Sequence, residues 1–164
     1  MRAALRLFGA CAIAISALVM SRAYAVFIKR RVAEYVSILA FLELMKREIS
    51  CRLCTPRELA EQCSDALLEE IGFLGELRAG RGLADAFSFA VPHLHLSVSD
   101  SDFIASFFVK FGQGRMESEL CALESCIARF SARTVSEESG ALGAIRLAST
   151  LFALVAMGLV ILLL

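Results

Sequence analysis

LASTLFALVAMGLVILLL, residues 147–164, is a run of eighteen positions without a charge. Coiled as an α-helix it would be about 27 Å long, close to the hydrocarbon thickness of a bilayer. It is apolar on every face, and a small domain could hardly bury such a helix all round. The run is therefore read as a transmembrane helix and not as a buried core helix. Arg146 stands just before it and can snorkel to the headgroups.

The other end of the chain is similar. Residues 7–28 are apolar apart from Arg22, with Arg2 and Arg6 before them and Lys29, Arg30 and Arg31 after. A cleaved signal peptide has the same outline, with Ala23-Tyr24-Ala25 as the small-residue cleavage site. Against it, Arg22 is out of place in a cleavage region, and the apolar run resumes with Val26, Phe27 and Ile28. The expected layout is an N-terminal transmembrane helix in residues 1–28, a soluble helical domain in residues 29–146 and a C-terminal transmembrane helix in residues 147–164.

The apolar fraction of the whole chain, 58%, exceeds the roughly 45–50% of soluble proteins, and the excess collects at the ends. Three of the 17 basic residues (Arg2, Arg6, Arg22) precede residue 29. Residues 29–146 thus hold 14 basic and all 17 acidic groups, a net charge of −3. With zero net charge overall and no basic block, nucleic acid is not an expected partner. Basic residues near the spans set orientation. Lys29, Arg30, Arg31, Lys46 and Arg47 follow the first span, and Arg129, Arg133 and Arg146 precede the second. Both spans place the middle domain in the cytoplasm of a two-span cell-membrane protein.

Within the middle domain every pattern is helical. Val32, Tyr35, Leu39, Leu42, Met45 and Ile49 recur at spacings of three and four, so the first span should run on as a soluble helix to about Ile49 or Ser50. Thr55-Pro56-Arg57-Glu58 is a capping box with proline at the first helical position. Leu59, Cys63, Ala66 and Leu67 supply the apolar face of the helix it opens. The chain should stay helical through Leu74 and Leu77 despite Gly72 and Gly75, and turn at Gly80-Arg81-Gly82. A short helix with Leu83, Ala84, Phe87 and Val91 must end before Pro92. Ser99 or Asp100 should cap the next helix, whose stripe is Phe103, Ile104, Phe107, Phe108 and Phe111. Gly112-Gln113-Gly114 breaks it. In the last soluble helix Met116, Leu120, Leu123, Ile127, Phe130 and Thr134 form a near-heptad seam. The expected fold class is all-α, a bundle of about five or six helices between the two spans.

Candidate chemistry is sparse. Cys51 and Cys54 form a CxxC, and with Cys63, Cys121 and Cys126 they are the candidates for a thiol or zinc site. Cys121 and Cys126 are about 140° apart around one helix by its 3.6-residue period, and no βαβ context accompanies the pair. The cysteines read better as small buried hydrophobes. His93 and His95 lack a third ligand in sequence, and Gly112-Gln113-Gly114 has no strand before it. The sequence therefore assigns no catalytic, cofactor-binding or metal-binding residue, no cofactor, no enzymatic activity and no small-molecule substrate.

The layout resembles the stage III sporulation protein AB family over nearly the full length. The first soluble helix ends in Leu44-Met45-Lys46-Arg47-Glu48-Ile49, Thr55-Pro56 opens the next, a Phe-rich helix reaches Phe111-Gly112, and Arg146 leads a Leu/Ile/Val-rich terminal span. Arg115 and Glu119 stand where the family usually has an aspartate and a glutamine, and Arg57-Glu58 replaces the leucine after the proline. The resemblance implies a domain similar to those of type II secretion F-type platform proteins. It further implies a non-enzymatic membrane scaffold in a sporulation-specific secretion or channel complex, whose partners are the other stage III subunits and a separate cytoplasmic ATPase that supplies energy. A platform protein of a type II secretion or pilus system is an alternative with the same layout, and a membrane-anchored thiol or metal protein is a third reading.

Overall fold

The computed structural model describes residues 2–51 and 55–163, all of whose regular structure is helical. Seven α-helices occur among them: α1 (Arg2–Cys51), α2 (Pro56–Gln62), α3 (Ala66–Glu70), α4 (Phe73–Arg78), α5 (Leu83–Ala90), α6 (Val98–Lys110) and α7 (Met116–Leu163). A 3₁₀ turn, Val91–His93, follows α5. The chain divides into two compact units. One comprises Met1–Arg30 and Glu137–Leu164, the other Arg31–Ser136.

In the first unit α1 and α7 are each long and apolar enough to cross a membrane, and no residue of the most apolar stretch of either is buried. Gly140 and Gly143 do not interrupt α7, which runs unbroken through both.

The second unit holds the core. Capping at Thr55 forms in full: Thr55 Oγ1 accepts the Glu58 amide at 3.3 Å, and the Glu58 carboxylate accepts the Thr55 amide at 2.9 Å. Each bond satisfies an amide that the helix start leaves over. The helix this box opens is shorter than the apolar spacing suggested. It stops at Gln62, and Asp65 starts α3 by accepting the amides of Leu67 and Leu68. Ala66 is accordingly exposed and Leu68 is buried in its place. A second break falls at Gly72, which sits at φ 81° and separates α3 from α4. Only glycine enters that left-handed region at no steric cost, and a Cβ there would also meet the Phe89 ring at 3.0 Å. These two breaks turn one expected helical stretch into three short helices.

Tyr35, Ile38, Phe41, Leu42 and Met45 are the buried row of α1, rotated slightly from the row expected, with Leu39 and Ile49 at its edge. Phe73 is the hub of the core. Its ring meets Phe41 at 5.0 Å edge-on, Phe87 at 6.2 Å edge-on and Phe108 stacked at 6.3 Å. Leu123, Cys126, Phe130 and Thr134 are the buried face of α7, whereas Met116 at its start is exposed.

Candidate functional site

Two features of the Arg31–Ser136 unit stand apart from ordinary packing. The first is a polar node inside the helical core. Asp100, in the first turn of α6, is 8% exposed. Its Oδ2 accepts the Tyr35 hydroxyl at 2.6 Å, the Ser97 hydroxyl at 2.6 Å and Arg133 Nε at 3.2 Å. Burial alone would raise its pKa, but the bonds from Ser97, Tyr35 and Arg133, with the Arg133 charge, outweigh burial and hold the carboxyl below its usual value. Ser97, and not Ser99 or Asp100 as the sequence suggested, is the N-cap of α6, because its Oγ both accepts the Asp100 amide and donates to the Asp100 carboxylate. Val98 is left 78% exposed as a result.

Beside it, Glu34 on α1 is fully buried. Its carboxylate accepts the His95 amide, and Oε1 lies 2.8 Å from His95 Nδ1. The node thus ties α1, the 94–97 loop, α6 and α7 together through groups that are 33 to 65 residues apart in sequence. A buried carboxylate is tolerable only where it is paired and hydrogen-bonded, and that condition is met here.

The second feature is an apolar groove of about 520 Å³, lined by Ile49, Leu59, Leu83, Phe108, Phe111 and Met116. Glu119 lies at its edge and accepts the amides of Gly112 (2.9 Å) and Gly114 (2.6 Å). Glu119 therefore closes the α6–α7 loop. Of the neighbouring acids, Glu124 pairs with Lys46 at 2.8 Å.

The other motifs resolve individually. Cys63 and Cys126 are buried, and burial raises both thiols, Cys126 to about 11. Cys121 is exposed on the far side of α7, so reading it as a buried hydrophobe does not hold. Of the CxxC, Cys51 is the last residue of α1 and Cys54 lies outside the described residues. His93 is exposed with its ring 6.2 Å from Phe89, while His95 turns to Glu34. Among the described residues no group of three His, Cys, Asp or Glu side chains could hold a metal ion. In folded protein at pH 8, Cys126 is neutral and enclosed, so Cys121 should react with a maleimide at least about tenfold faster than Cys63 or Cys126. Mass mapping of labelled peptides against time, on the chain diluted in detergent to separate any paired copies, checks this, and equal rates would contradict the burial of Cys63 and Cys126.

These features define a class: an all-α protein whose helical domain is carried on two helices long enough and apolar enough to cross a membrane. The chain belongs to the stage III sporulation protein AB family, whose family model matches residues 6–164, and it is a sporulation protein. No curated protein and no solved structure matches it significantly.

Proposed function

We propose that the chain is a non-enzymatic platform of a sporulation-specific secretion or channel complex, embedded in the cell membrane by residues 1–28 and 147–164. Residues 29–146 form its docking domain on the cytoplasmic side. The observation that carries this reading is a helical unit, Arg31–Ser136, between two long helices whose most apolar stretches bury no residue. Lipid is the medium in which such helices are stable. Family membership supplies the sporulation context, and the basic residues beside both spans favour the cytoplasmic side. The energy-supplying partner in this reading is a cytoplasmic ATPase, with the other stage III subunits beside it.

Single cysteines at exposed Ser88 and Ser106 test the orientation. An impermeant maleimide should label them only after cells are opened, and the ATPase should co-purify with the full chain from detergent-solubilised membranes. Labelling in intact cells would place the domain outside and remove the ATPase from consideration.

A further inference from the structure

We infer that α7 pairs in parallel with α7 of a second copy of this chain, through the helix face opposite its buried seam. The inference rests on the membrane-anchored reading above. Cys121, Ser125, Ala128, Ala132 and Val135 are all exposed. Their spacings of four, three, four and three are those of d and a positions in a heptad. The face stands opposite Leu123, Cys126 and Phe130, which bury against the rest of the unit. Val135 is 61% exposed at its end. The Ser125 hydroxyl already donates to the Cys121 carbonyl at 2.9 Å, so covering it strands no donor.

Charge selects the occupant. In this register Glu124 falls at g and Arg129 at e. In a parallel pair the g position of one helix meets the e position five residues on in the other. Glu124 of each copy would thus face Arg129 of the second copy, twice by symmetry. Both are exposed. Glu124 Oε1 lies 2.8 Å from Lys46 Nζ, and the Arg129 guanidinium carbon lies 3.9 Å from the centre of the Phe103 ring, so the pairing between copies would compete with or add to these contacts within one copy. Two copies anchored in one membrane by the same helix necessarily run parallel, the arrangement this pattern requires. Small seam residues allow close approach but bury little area, so confinement to the membrane supplies the local concentration the pair needs.

The test uses the full chain in native membranes. With the other five cysteines replaced by alanine, Cys121 should form a disulfide-linked dimer under mild oxidation. So should Ser125→Cys and Ala132→Cys placed in a Cys121→Ser background, each about tenfold faster than Ser88→Cys or Ser106→Cys controls. A photo-crosslinking side chain at Ala128 in the otherwise native chain gives the same reading without altering the cysteines, again with Ser88 as control. Glu124→Arg or Arg129→Glu alone should weaken the cross-link, and the two together should restore it. Absence of a seam-specific cross-link, equal yields at control positions, or capture of a different polypeptide overturns the dimer. Carbonate extraction of the same membranes reports separately on anchoring, so failure of the dimer and failure of the membrane reading are told apart.

Discussion

Asp100→Ala is expected to destabilise the helical domain by about 3 kcal/mol, because it strands a buried hydroxyl and removes the partner of a cation at once. Tyr35 is fully buried, and its hydroxyl donates to Asp100 at 2.6 Å. Arg133 is 43% exposed, so water compensates part of its loss, which holds the figure toward the lower end of the range for broken buried pairs. The start of α6 also loses the carboxylate that fixes its capping serine. Thermal unfolding of the detergent-solubilised chain measures the effect, and a shift no larger than that of Ser99→Ala would show that the node contributes little. The pH dependence follows from the direction of the Asp100 shift. Its folded-state pKa is lowered, so its contribution is present above the ordinary carboxylate pKa and is lost as pH falls through the folded value. Wild-type stability should therefore decline below about pH 4, and Asp100→Asn should flatten that part of the curve.

This node was the part of the molecule least legible in the sequence. Apart from the Ser97–Asp100 cap its contacts are long-range: Tyr35 to Asp100 spans 65 positions and Glu34 to His95 spans 61. Capping at Thr55 was legible because donor and acceptor lie three residues apart and obey one geometric rule. The same local logic failed at α6, where three candidate caps, Ser97, Ser99 and Asp100, follow one another. There the choice is made by Tyr35 and Arg133, which arrive from elsewhere in the chain. A signal for Glu34 did exist. The buried row Ile38, Phe41 and Met45, extended back by four residues, lands on Glu34. A carboxylate on an apolar row implies a buried partner, though not which one.

The short helices α2 to α4 show the reverse case. Leu59, Cys63, Ala66 and Leu67 keep a helical spacing across a stretch that is not one helix, and Ser64-Asp65 supplied the stop and restart. The period held for Leu59 and Cys63 before the break and failed after it, where Leu68 is buried and Ala66 is exposed. The long helices were legible because eighteen uncharged residues leave few alternatives, and the seam of α7 needed only its own period. What the period could not show is that α7 has a second regular face, since small residues do not register as an apolar stripe.

Phe73→Ala should cost about 3–5 kcal/mol, the largest loss expected from any single truncation in the core. Phe73 is 3% exposed and begins α4, a helix of six residues too short to hold its own shape. Its ring is what attaches α4 to Phe41 of α1, Phe87 of α5 and Phe108 of α6. Those rings come from three different helices, so the cavity left by alanine cannot close by moving one neighbour. Phe73→Leu fills most of the space and should cost roughly 1–2 kcal/mol. Phe107, partly buried at the edge of the cluster, should be cheaper still to truncate. The order Phe73→Ala, Phe73→Leu, Phe107→Ala in melting temperature is the check, and equal shifts for the three would mean that the core can repack around position 73. Because the chain contributes no turnover of its own in the proposed role, the biological consequence should follow abundance. Sporulation should fall in step with the amount of Phe73→Ala protein in the membrane and recover at lower temperature, where the remaining stability suffices to keep the domain folded.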